Sequence, residues 1–436
     1  MNNFIQYIFI FILVMFGFAS CTSDHDNLDS PPSNGGEWGG GTVGDKTMLV
    51  LNIRSLDSRA TSQVPLEKVK TLRIIIINTG ENETTDNSED ESHAPAIECN
   101  RLIELSSIPA SQVSYTWIWP TYKGKKNIYV IANEASIANG ITDELEKYVE
   151  GEDTKPTQLE DFLDKYAFAP QYSVQESSIY LPYTYYNTDL EARKHEVTNI
   201  TAYLVPVATK FVFNFTNKRD KSVRVNGIFL NSTNSSNYLF AKVGEKDYKK
   251  ELPDDADETS YYWIDWLAKV SEESHKNQGF VSNEKFNEKY GWIKDYEIPN
   301  EKDSGTCIFV GENGQKEAFN VPGMLYNETQ ENTSVPGTYT VGPFYVPESK
   351  NLKDASENNK DLADQIYYLT MFLETEGAQP PDFKDVAIPN LKALFRNTYV
   401  IINVNMLQGN VEVYAEIENW NRKKENGRVE EGDAPN

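Results

Sequence analysis

Along most of the chain, apolar and polar residues alternate with a period of two, the pattern that indicates β-strands. The first alternating segment, residues 47–56, places Leu49, Leu51 and Ile53 on one face. In the next segment, residues 67–78, alternation gives way to four consecutive isoleucines, which predict a central strand buried on both faces. Further strands are predicted at residues 97–106, 113–119, 126–133, 207–217, 222–233, 238–240, 338–346, 365–374, 398–407 and 410–420.

Two segments between these strands show helical spacing. For residues 141–149 we predict a helix capped by Thr142, with carboxylates in its first turn that suit the positive end of the helix dipole. Residues 157–168 contain a capping box, in which Thr157 is followed three residues later by Glu160, ahead of an apolar stripe. Both helices are expected to pack against a sheet.

The order of the elements favours one fold class. Residues 259–274 predict a short amphipathic helix, and residues 275–335, rich in Asn, Glu and Lys, predict long surface loops. Many short strands without regular alternation of strand and helix favour sandwiches over a doubly wound sheet. We therefore predict a mainly β protein with a few short helices. It divides into an N-terminal β-sandwich domain at 46–206, a C-terminal β-sandwich domain at 207–420 and a polar tail at 421–436.

The N-terminus predicts export. Residues 1–20 contain an apolar run that is short for a membrane span and typical of a signal peptide, although no Lys or Arg precedes it. The small residues before Cys21 resemble the lipobox of bacterial lipoproteins, with Phe18 where Leu is usual. That resemblance implies a lipid anchor on Cys21; the alternative is an ordinary signal peptide followed by an unmodified cysteine. Residues 21–45, rich in Gly, Ser, Pro and Asp, predict a flexible tether.

Composition excludes several function classes. The chain has 436 residues, with 41 Lys and Arg against 66 Asp and Glu, and a formal net charge of −25. Such an acidic chain repels phosphate, so we expect no nucleic-acid partner. The three cysteines and four histidines lack the spacing of a zinc site, a redox pair or a disulfide framework. No G-x-S-x-G motif is present, and we predict no catalytic residue, metal or cofactor.

Some residue types could carry chemistry and have simpler interpretations. Cys99 and Cys307 could act as nucleophiles, but their positions in apolar segments favour small core residues. The acidic clusters at 86–91 and 254–258 could supply a glycosidase-like pair, but they are more typical of solvated loops.

An aromatic cluster within the segment 259–274 is a candidate ligand platform for a sugar or a partner, because aromatic side chains with polar groups favour recognition surfaces. Its members are Tyr261, Tyr262, Trp263 and Trp266. Packing of the predicted helix onto the second sandwich explains the same residues and is the favoured interpretation.

Several segments form an ordered series along the chain. They are FASC before the acidic tether, EKVKTLRIIIIN with KKNIYVIAN, PVATKFVFNFTN followed by VRVNGIFLN, GPFYVPES at 342–349, and LFRNTYVIINVNMLQGNVEVYAEIENW at 394–420. Together they resemble the Bacteroidales fimbrillin family, the major and minor fimbrial pilins with their anchor and tip relatives. The resemblance extends from residue 18 to about residue 420.

This resemblance implies two tandem transthyretin-like β-sandwich domains without catalytic activity. It also implies an outer-membrane lipoprotein precursor, exposed at the cell surface and incorporated with other fimbrial subunits into a homo- or hetero-polymer that supports adhesion to a host or bacterial surface ligand. In the family an Arg-specific protease cuts after the first strand, and a strand from a neighbouring subunit fills the resulting groove. Arg59 and Ala60 match that cleavage position; the alternative is an ordinary loop arginine, and Arg54 lies within the strand.

The end of the chain leaves the place in a fimbria open. After Trp420 no apolar alternation follows, so a donor strand is either residues 410–420 or absent. A chain without a donor strand can receive a strand from a neighbouring subunit but cannot donate one, which suits a terminal subunit. An anchor subunit would instead keep Cys21 and would not be cleaved. The alternative function, based on the aromatic cluster, is a surface glycan-binding lipoprotein for nutrient capture.

Overall fold

The structure is a computed structural model. It describes residues 46–55, 67–80, 94–109, 113–137, 140–151, 155–169, 180–231, 233–242, 297–299, 306–310, 318–326, 334–350, 367–377, 382–391 and 393–419. These residues are mainly β, as predicted, and belong to the compact unit Val43–Asn436.

The N-terminal part forms a sandwich with two helices on one face. Its elements are β1 (Lys46–Ser55), β2 (Lys68–Asn78), β3 (Ala96–Pro109), β4 (Ser114–Tyr122), β5 (Gly124–Ala132), a 3-10 turn (Glu134–Ser136), α1 (Ile141–Leu145), α2 (Pro156–Lys165), β6 (Ala167–Phe168), β7 (Tyr183–Ala192) and β8 (Val197–Pro206). The strand order is β3-β2-β5-β7-β8-β1-β4. Because β7 and β8 pair over only two residues each, the path folds into two layers, β3-β2-β5-β7 and β8-β1-β4.

The C-terminal part forms a second sandwich. Its strands are β9 (Thr209–Asn217), β10 (Val223–Leu230), β11 (Asn237–Tyr238), β12 (Thr306–Val310), β13 (Phe319–Val321), β14 (Leu325–Tyr326), β15 (Ser334–Val335), β16 (Gly337–Val346), β17 (Ser349–Lys350), β18 (Tyr367–Thr375), β19 (Asp382–Ile388), β20 (Ala393–Leu394), β21 (Thr398–Leu407) and β22 (Asn410–Asn419). One layer has the order β16-β9-β21-β22 and the other β12-β10-β18-β19, with β13 beside β10; β6–β11, β14–β15 and β17–β20 form short pairs.

The periodicity of the strands produces the cores. In β9, Phe211, Phe213 and Phe215 alternate with polar residues and are all buried between the two C-terminal layers. Rings of this size bury large apolar areas, so β9 is a main contributor to the second core. The core of the N-terminal sandwich and the core of the C-terminal sandwich are separate clusters of buried side chains. Tyr345 of β16, a strand of the C-terminal sandwich, packs into the N-terminal core.

Strand β2 is buried on both faces, as its run of isoleucines predicted. Ile74 and Ile76 point between the two N-terminal layers, whereas Ile75 and Ile77 point to the opposite face. That opposite face is covered by α1 and α2, which contribute buried aliphatic side chains at Ile141, Leu145, Leu159 and Leu163.

The predicted helix caps are wrong. Helix α1 begins at Ile141, one residue before Thr142. The residue that precedes the helix is Gly140, whose φ is 69°, and no side chain caps the helix. Helix α2 begins at Pro156, whose fixed φ suits the first helical position, so Thr157 lies inside the helix. The carboxylate of Glu160 accepts a hydrogen bond from Asn127 at 2.6 Å instead of closing a capping box.

Several strands were not predicted. Strands β7, β8 and β19 lie in segments without a predicted strand, and residues 275–335, predicted as loops, contain β12, β13, β14 and β15. The short pairs depend on long-range partners and leave little local signal. Strand β8 had a usable signal, because Ile200, Ala202 and Leu204 alternate inward between polar residues.

No helix among the described residues is long and apolar enough to cross a membrane. Within the same ranges, no group of three or more His, Cys, Asp or Glu side chains is placed to hold a metal ion.

Candidate assembly site

The first strand, β1, lies in the middle of its layer. It pairs antiparallel with β4, with Leu51 opposite Trp117, and parallel with β8, with Leu51 opposite Ile200. Both edges of β1 are therefore hydrogen-bonded, and removing the strand leaves two unpaired edges facing each other across a gap one strand wide.

Burial of β1 follows its alternation. Leu49, Leu51 and Ile53 are all fully buried, whereas Met48 on the other face is 37% exposed. Full burial of a large aliphatic side chain contributes about 1.5–3 kcal/mol, so the three together contribute roughly 5–9 kcal/mol. We call the space that these side chains fill the β1 groove. Its lining includes Leu72, Ile74, Ile76, Ile128, Val130, Ala202 and Leu204.

One wall of the β1 groove is aromatic. Along β4, the rings of Tyr115 and Trp117 stack at 6.4 Å, and those of Trp117 and Trp119 stack at 5.7 Å. The three aromatic residues are two positions apart along β4. Their rings therefore lie on the same face of the strand, the face that points inward. The wall therefore lies on β4, which pairs with β1 at the edge of its layer.

The chain beyond β1 re-enters the described structure at Glu67, which is fully buried. Its Oε1 accepts hydrogen bonds from Lys210 Nζ at 2.6 Å and from the Tyr345 hydroxyl at 2.7 Å. Lys210 belongs to β9 and Tyr345 to β16, so the residue before β2 is fixed to the C-terminal sandwich. A cut between β1 and Glu67 would separate β1 covalently and leave the chain after the cut anchored at Glu67.

Two segments that carried the family resemblance meet in space. Glu348, which follows β16, and Arg396, which precedes β21, are both nearly inaccessible to solvent and form an ion pair, in which Oε2 accepts hydrogen bonds from Nη2 at 2.5 Å and from Nε at 3.0 Å. Arg396 also donates to the carbonyls of Tyr238 and Leu239 at 2.6 and 2.9 Å. Charge-assisted hydrogen bonds of this kind are roughly twice as strong as those between neutral groups. The structure thus gives these segments a structural role.

The segment considered as a donor strand is part of its own domain. Strand β22 pairs antiparallel with β21 along its whole length, from Asn410 opposite Leu407 to Asn419 opposite Thr398. Its inward side chains are buried in the second core; they are Val411, Val413, Ala415 and Ile417. Residues 410–419 therefore complete their own sandwich.

A separate pocket lies beside α2. Its volume is about 360 Å³, and its lining includes Tyr129, Tyr186 and Phe240. The ring of Phe240 meets those of Tyr129 and Tyr186 edge to face at 5.2 and 5.8 Å. At the rim, Lys242 Nζ lies 3.3 Å from Asp164 Oδ2. Burial raises the pKa of Tyr129 well above its usual range, and the carboxylates of Glu160 and Asp164 raise it further.

The residues that sequence reasoning selected as sites lie outside the described residues: Cys21, Arg59, Ala60, Tyr261, Tyr262, Trp263 and Trp266. Cys99 is described, and it is a fully buried residue of β3 in the first core. Burial raises the pKa of its thiol well above the ordinary value, which disfavours the reactive thiolate. The core interpretation of Cys99 thus agrees with its surroundings.

No protein-family model matches the chain, and no curated protein matches it either. Solved structures with a similar arrangement include the tip fimbrial protein Mfa3 from Porphyromonas gingivalis with C-terminal truncation, at 12% identity and a TM-score of 0.45, covering 86% of this chain and 100% of that one. A candidate cell adhesion protein from Parabacteroides distasonis is 11% identical, with a TM-score of 0.42 and coverage of 86% and 97%. A fimbrial assembly protein from the same organism is 11% identical, with a TM-score of 0.40 and coverage of 86% and 96%. Likeness at this level assigns neither a family nor a function to the chain.

Proposed function

We propose that this protein is a non-catalytic structural subunit of cell-surface fimbriae that supports adhesion and assembles with other subunits by donor-strand exchange. The observation that carries the proposal is the position of β1. It is a central strand with three fully buried aliphatic side chains, and its connection to the rest of the fold runs through residues 56–66. The ordered sequence segments that resemble the fimbrillin family support the same assignment.

Processing, in this proposal, has two steps. The precursor is anchored in the outer membrane through a lipid on Cys21 and is displayed at the cell surface. An Arg-specific protease then cuts between Arg59 and Ala60, which lie between β1 and the buried Glu67. The cut makes β1 a separate peptide held only by non-covalent contacts.

The exchange has a physical basis in the β1 groove. An empty groove exposes two unpaired strand edges and an apolar trench, both of which are costly in water. A strand from another subunit with the same inward alternation restores the backbone hydrogen bonds and the buried area. Assembly is therefore a substitution of one strand for another, and its driving force is the difference between the two fits.

The proposal assigns a receiving role to this chain. Because β22 completes its own core, its exposure as a donor would sacrifice four buried side chains: Val411, Val413, Ala415 and Ile417. A chain that accepts a strand and keeps β22 occupies a terminal position, as the sequence already suggested for a subunit without a donor strand.

Limited digestion of the purified precursor with an Arg-specific protease tests the proposal. We expect a product that begins at Ala60, loses β1 slowly and then binds an added peptide with the sequence of residues 46–55 in its place. The Arg59→Ala variant should resist cleavage and should not bind the peptide, whereas the matched control Arg54→Ala, which alters an exposed arginine within β1, should behave like the unchanged protein. A product that retains residues 46–59, or that loses β1 and does not bind the peptide, contradicts the proposal.

A second candidate function is glycan binding at the cell surface, and the pocket beside α2 favours it. Its aromatic walls suit the C–H faces of a sugar ring, while the charged groups at its rim can accept and donate hydrogen bonds to hydroxyls. Binding isotherms against a panel of polysaccharides test this function, with Tyr186→Ala as the pocket variant and Tyr339→Ala as a control of similar exposure in the other sandwich. An absence of saturable binding across the panel eliminates it.

A further inference from the structure

Three polar side chains meet inside the N-terminal sandwich. Asn78 ends β2, Lys126 lies directly opposite it on β5, and Glu98 lies on the neighbouring strand β3. Their exposures are 2% for Asn78, 0% for Lys126 and 6% for Glu98. A buried amine, carboxamide and carboxylate in mutual contact are expensive to desolvate, so the arrangement calls for a reason.

The geometry brings a nucleophile to an acyl carbon. Lys126 Nζ lies 2.8 Å from Glu98 Oε1 and 3.0 Å from Asn78 Oδ1. Since Cγ of Asn78 is bonded to Oδ1 at a carbonyl distance of about 1.2 Å, Nζ is within about 4 Å of that carbon. Approach at this range is close to the separation from which an amine attacks a carbonyl.

The other contacts hold the three groups in place. The amide nitrogen of Asn78 donates to the carbonyl of Ala94 at 3.1 Å. Glu98 accepts a hydrogen bond from the hydroxyl of Thr121 on the opposite layer and one from the backbone N–H of Tyr122 at 3.4 Å. Side chains locked in this way have little freedom to lose when they react.

Electrostatics assist the amine. Burial lowers the pKa of Lys126, although the Glu98 carboxylate and its hydrogen bond act in the opposite direction. A lowered pKa increases the fraction of neutral amine, which is the nucleophilic form. Glu98 is in position to take the proton that the ammonium loses.

Other buried ion pairs of the described residues lack this combination. Arg73 donates to Glu134 and, at 2.9 Å, to Asn100 Oδ1, but a guanidinium stays protonated and is not a nucleophile. Lys210 is an amine that donates to the buried carboxylate of Glu67. The same carboxylate oxygen accepts a hydrogen bond from the hydroxyl of Tyr345, and neither contact involves a carboxamide. The contact between an amine and a carboxamide, with a carboxylate beside them, distinguishes Lys126.

We propose that Lys126 and Asn78 form an intramolecular isopeptide bond, with Glu98 as the proton-transferring residue. Glu98 accepts a proton from the Lys126 ammonium, and the free amine attacks Cγ of Asn78 to form the Nζ–Cγ bond. Glu98 passes its proton to Nδ2, the Cγ–Nδ2 bond breaks with its electron pair, and ammonia leaves. The second proton lost from Nζ leaves with ammonia as ammonium, so Glu98 ends as a carboxylate and no oxidant or other reactant is needed.

The bond would join β2 to β5 across a register pair in the layer that faces β1. These strands would stay joined when β1 is absent from its groove, and a pulling force on one would pass directly to the other. The inference does not depend on fimbrial assembly, because it concerns only the N-terminal sandwich.

Peptide mapping of the full-length purified protein tests it. A tryptic digest should contain residues 74–101 joined to residues 126–147, since a linked Lys126 is no longer a cleavage site, and the joined mass should be about 17 Da below the sum of the two peptides, the mass of one ammonia. Lys126→Arg should abolish the linked species, whereas the matched control Lys125→Arg should retain it. Glu98→Gln, which keeps the shape of the side chain, should reduce linkage from complete to trace amounts.

The outcomes separate the proposal from its alternatives. The proposal of an isopeptide bond is overturned if the wild-type digest contains the two peptides unlinked and with unchanged mass. It is also overturned if position 78 has become an aspartate that is not joined to Lys126. Linkage that persists in Lys126→Arg overturns the assignment of the nucleophile, and full linkage in Glu98→Gln overturns the role of Glu98. Because the wild-type protein itself is measured, a variant that fails to fold does not decide the result. A linked protein that does not bind a donor strand after cleavage would contradict only the assembly proposal.

Discussion

Replacing Leu51 by Ala tests whether β1 is held by its buried face. Leu51 is fully buried between the layers, and it lies opposite Trp117 on β4 and Ile200 on β8. A Leu→Ala change at such a site costs about 2–5 kcal/mol, because transfer energy is lost and a cavity remains. The substitution leaves the backbone hydrogen bonds of β1 unchanged. The reduction in the free energy of unfolding therefore measures the contribution of the Leu51 side chain alone.

The same loss should appear in strand exchange. At about 1.4 kcal/mol for each tenfold change, a loss of 2 kcal/mol shifts the equilibrium between bound and displaced β1 by roughly 30-fold, and larger losses shift it further. After cleavage, the displacement of β1 by an excess of a labelled peptide with the sequence of residues 46–55 can be followed by fluorescence anisotropy. Leu51→Ala should release β1 far more readily than the unchanged protein does, and urea unfolding of the uncut variant should show the reduced stability.

Met48→Ala is the matched control. Met48 lies on the same strand but on the outer face, where it is 37% exposed, so its loss should change stability by only about 0.5 kcal/mol. If both variants unfold at the same urea concentration and exchange β1 at the same rate, the inward side chains do not hold the strand. The physical basis of the exchange proposal would then be wrong.

Three further predictions concern the described polar groups. Glu67→Ala should destabilise the protein by about 3 kcal/mol, because it leaves Lys210 without its buried carboxylate; urea unfolding measures the loss, and a change below 0.5 kcal/mol would contradict the anchoring role. Arg396→Lys should cost about 1–3 kcal/mol in the same assay, since an ammonium lacks the fixed pair of guanidinium N–H groups that donate to Glu348 Oε2. The raised pKa of Cys99 means that its contribution to stability is present below the unfolded value of about 9.0 and is lost as pH rises beyond it. Thermal melts from pH 8 to 10 should show this loss, with Cys99→Ala showing a smaller one, and equal slopes for both proteins would refute the assignment.

The parts of the fold that were predicted from sequence have strong local signals. Strand β9 shows its alternation in Phe211, Phe213 and Phe215, and β2 shows its double burial in consecutive isoleucines. By contrast, the parallel pairing of β1 with β8 joins strands about 150 residues apart, and alternation within one strand does not identify its partner. Helix starts were wrong where Gly140 and Pro156 set the backbone and no side chain capped it.

The burial of polar side chains in the interior was harder to predict from the sequence than the strands were. In the sequence, Glu98 and Lys126 look like the many other charged residues of an acidic chain, and their burial follows only from the meeting of β2, β3 and β5. The position of the β1 groove was inferable in part, because the alternation of Leu49, Leu51 and Ile53 predicts the buried face of β1. Its aromatic wall on β4 was not, since the antiparallel pairing that places it beside β1 had not been inferred.

The parallel pairing of β1 with β8 also has a consequence in time. Thr47 of β1 contacts the carbonyl of Glu196, just before β8, and 149 residues separate the two. At synthesis rates of about 5–20 residues per second, roughly 7–30 s pass between the appearance of β1 and that of its parallel neighbour. During this interval the first strand made has no partner on one of its edges, and β8 must find it already placed or add it afterwards. The layer that contains β1 is thus completed only after the chain has been made as far as β8, so the first strand in sequence order is among the last to be paired on both edges.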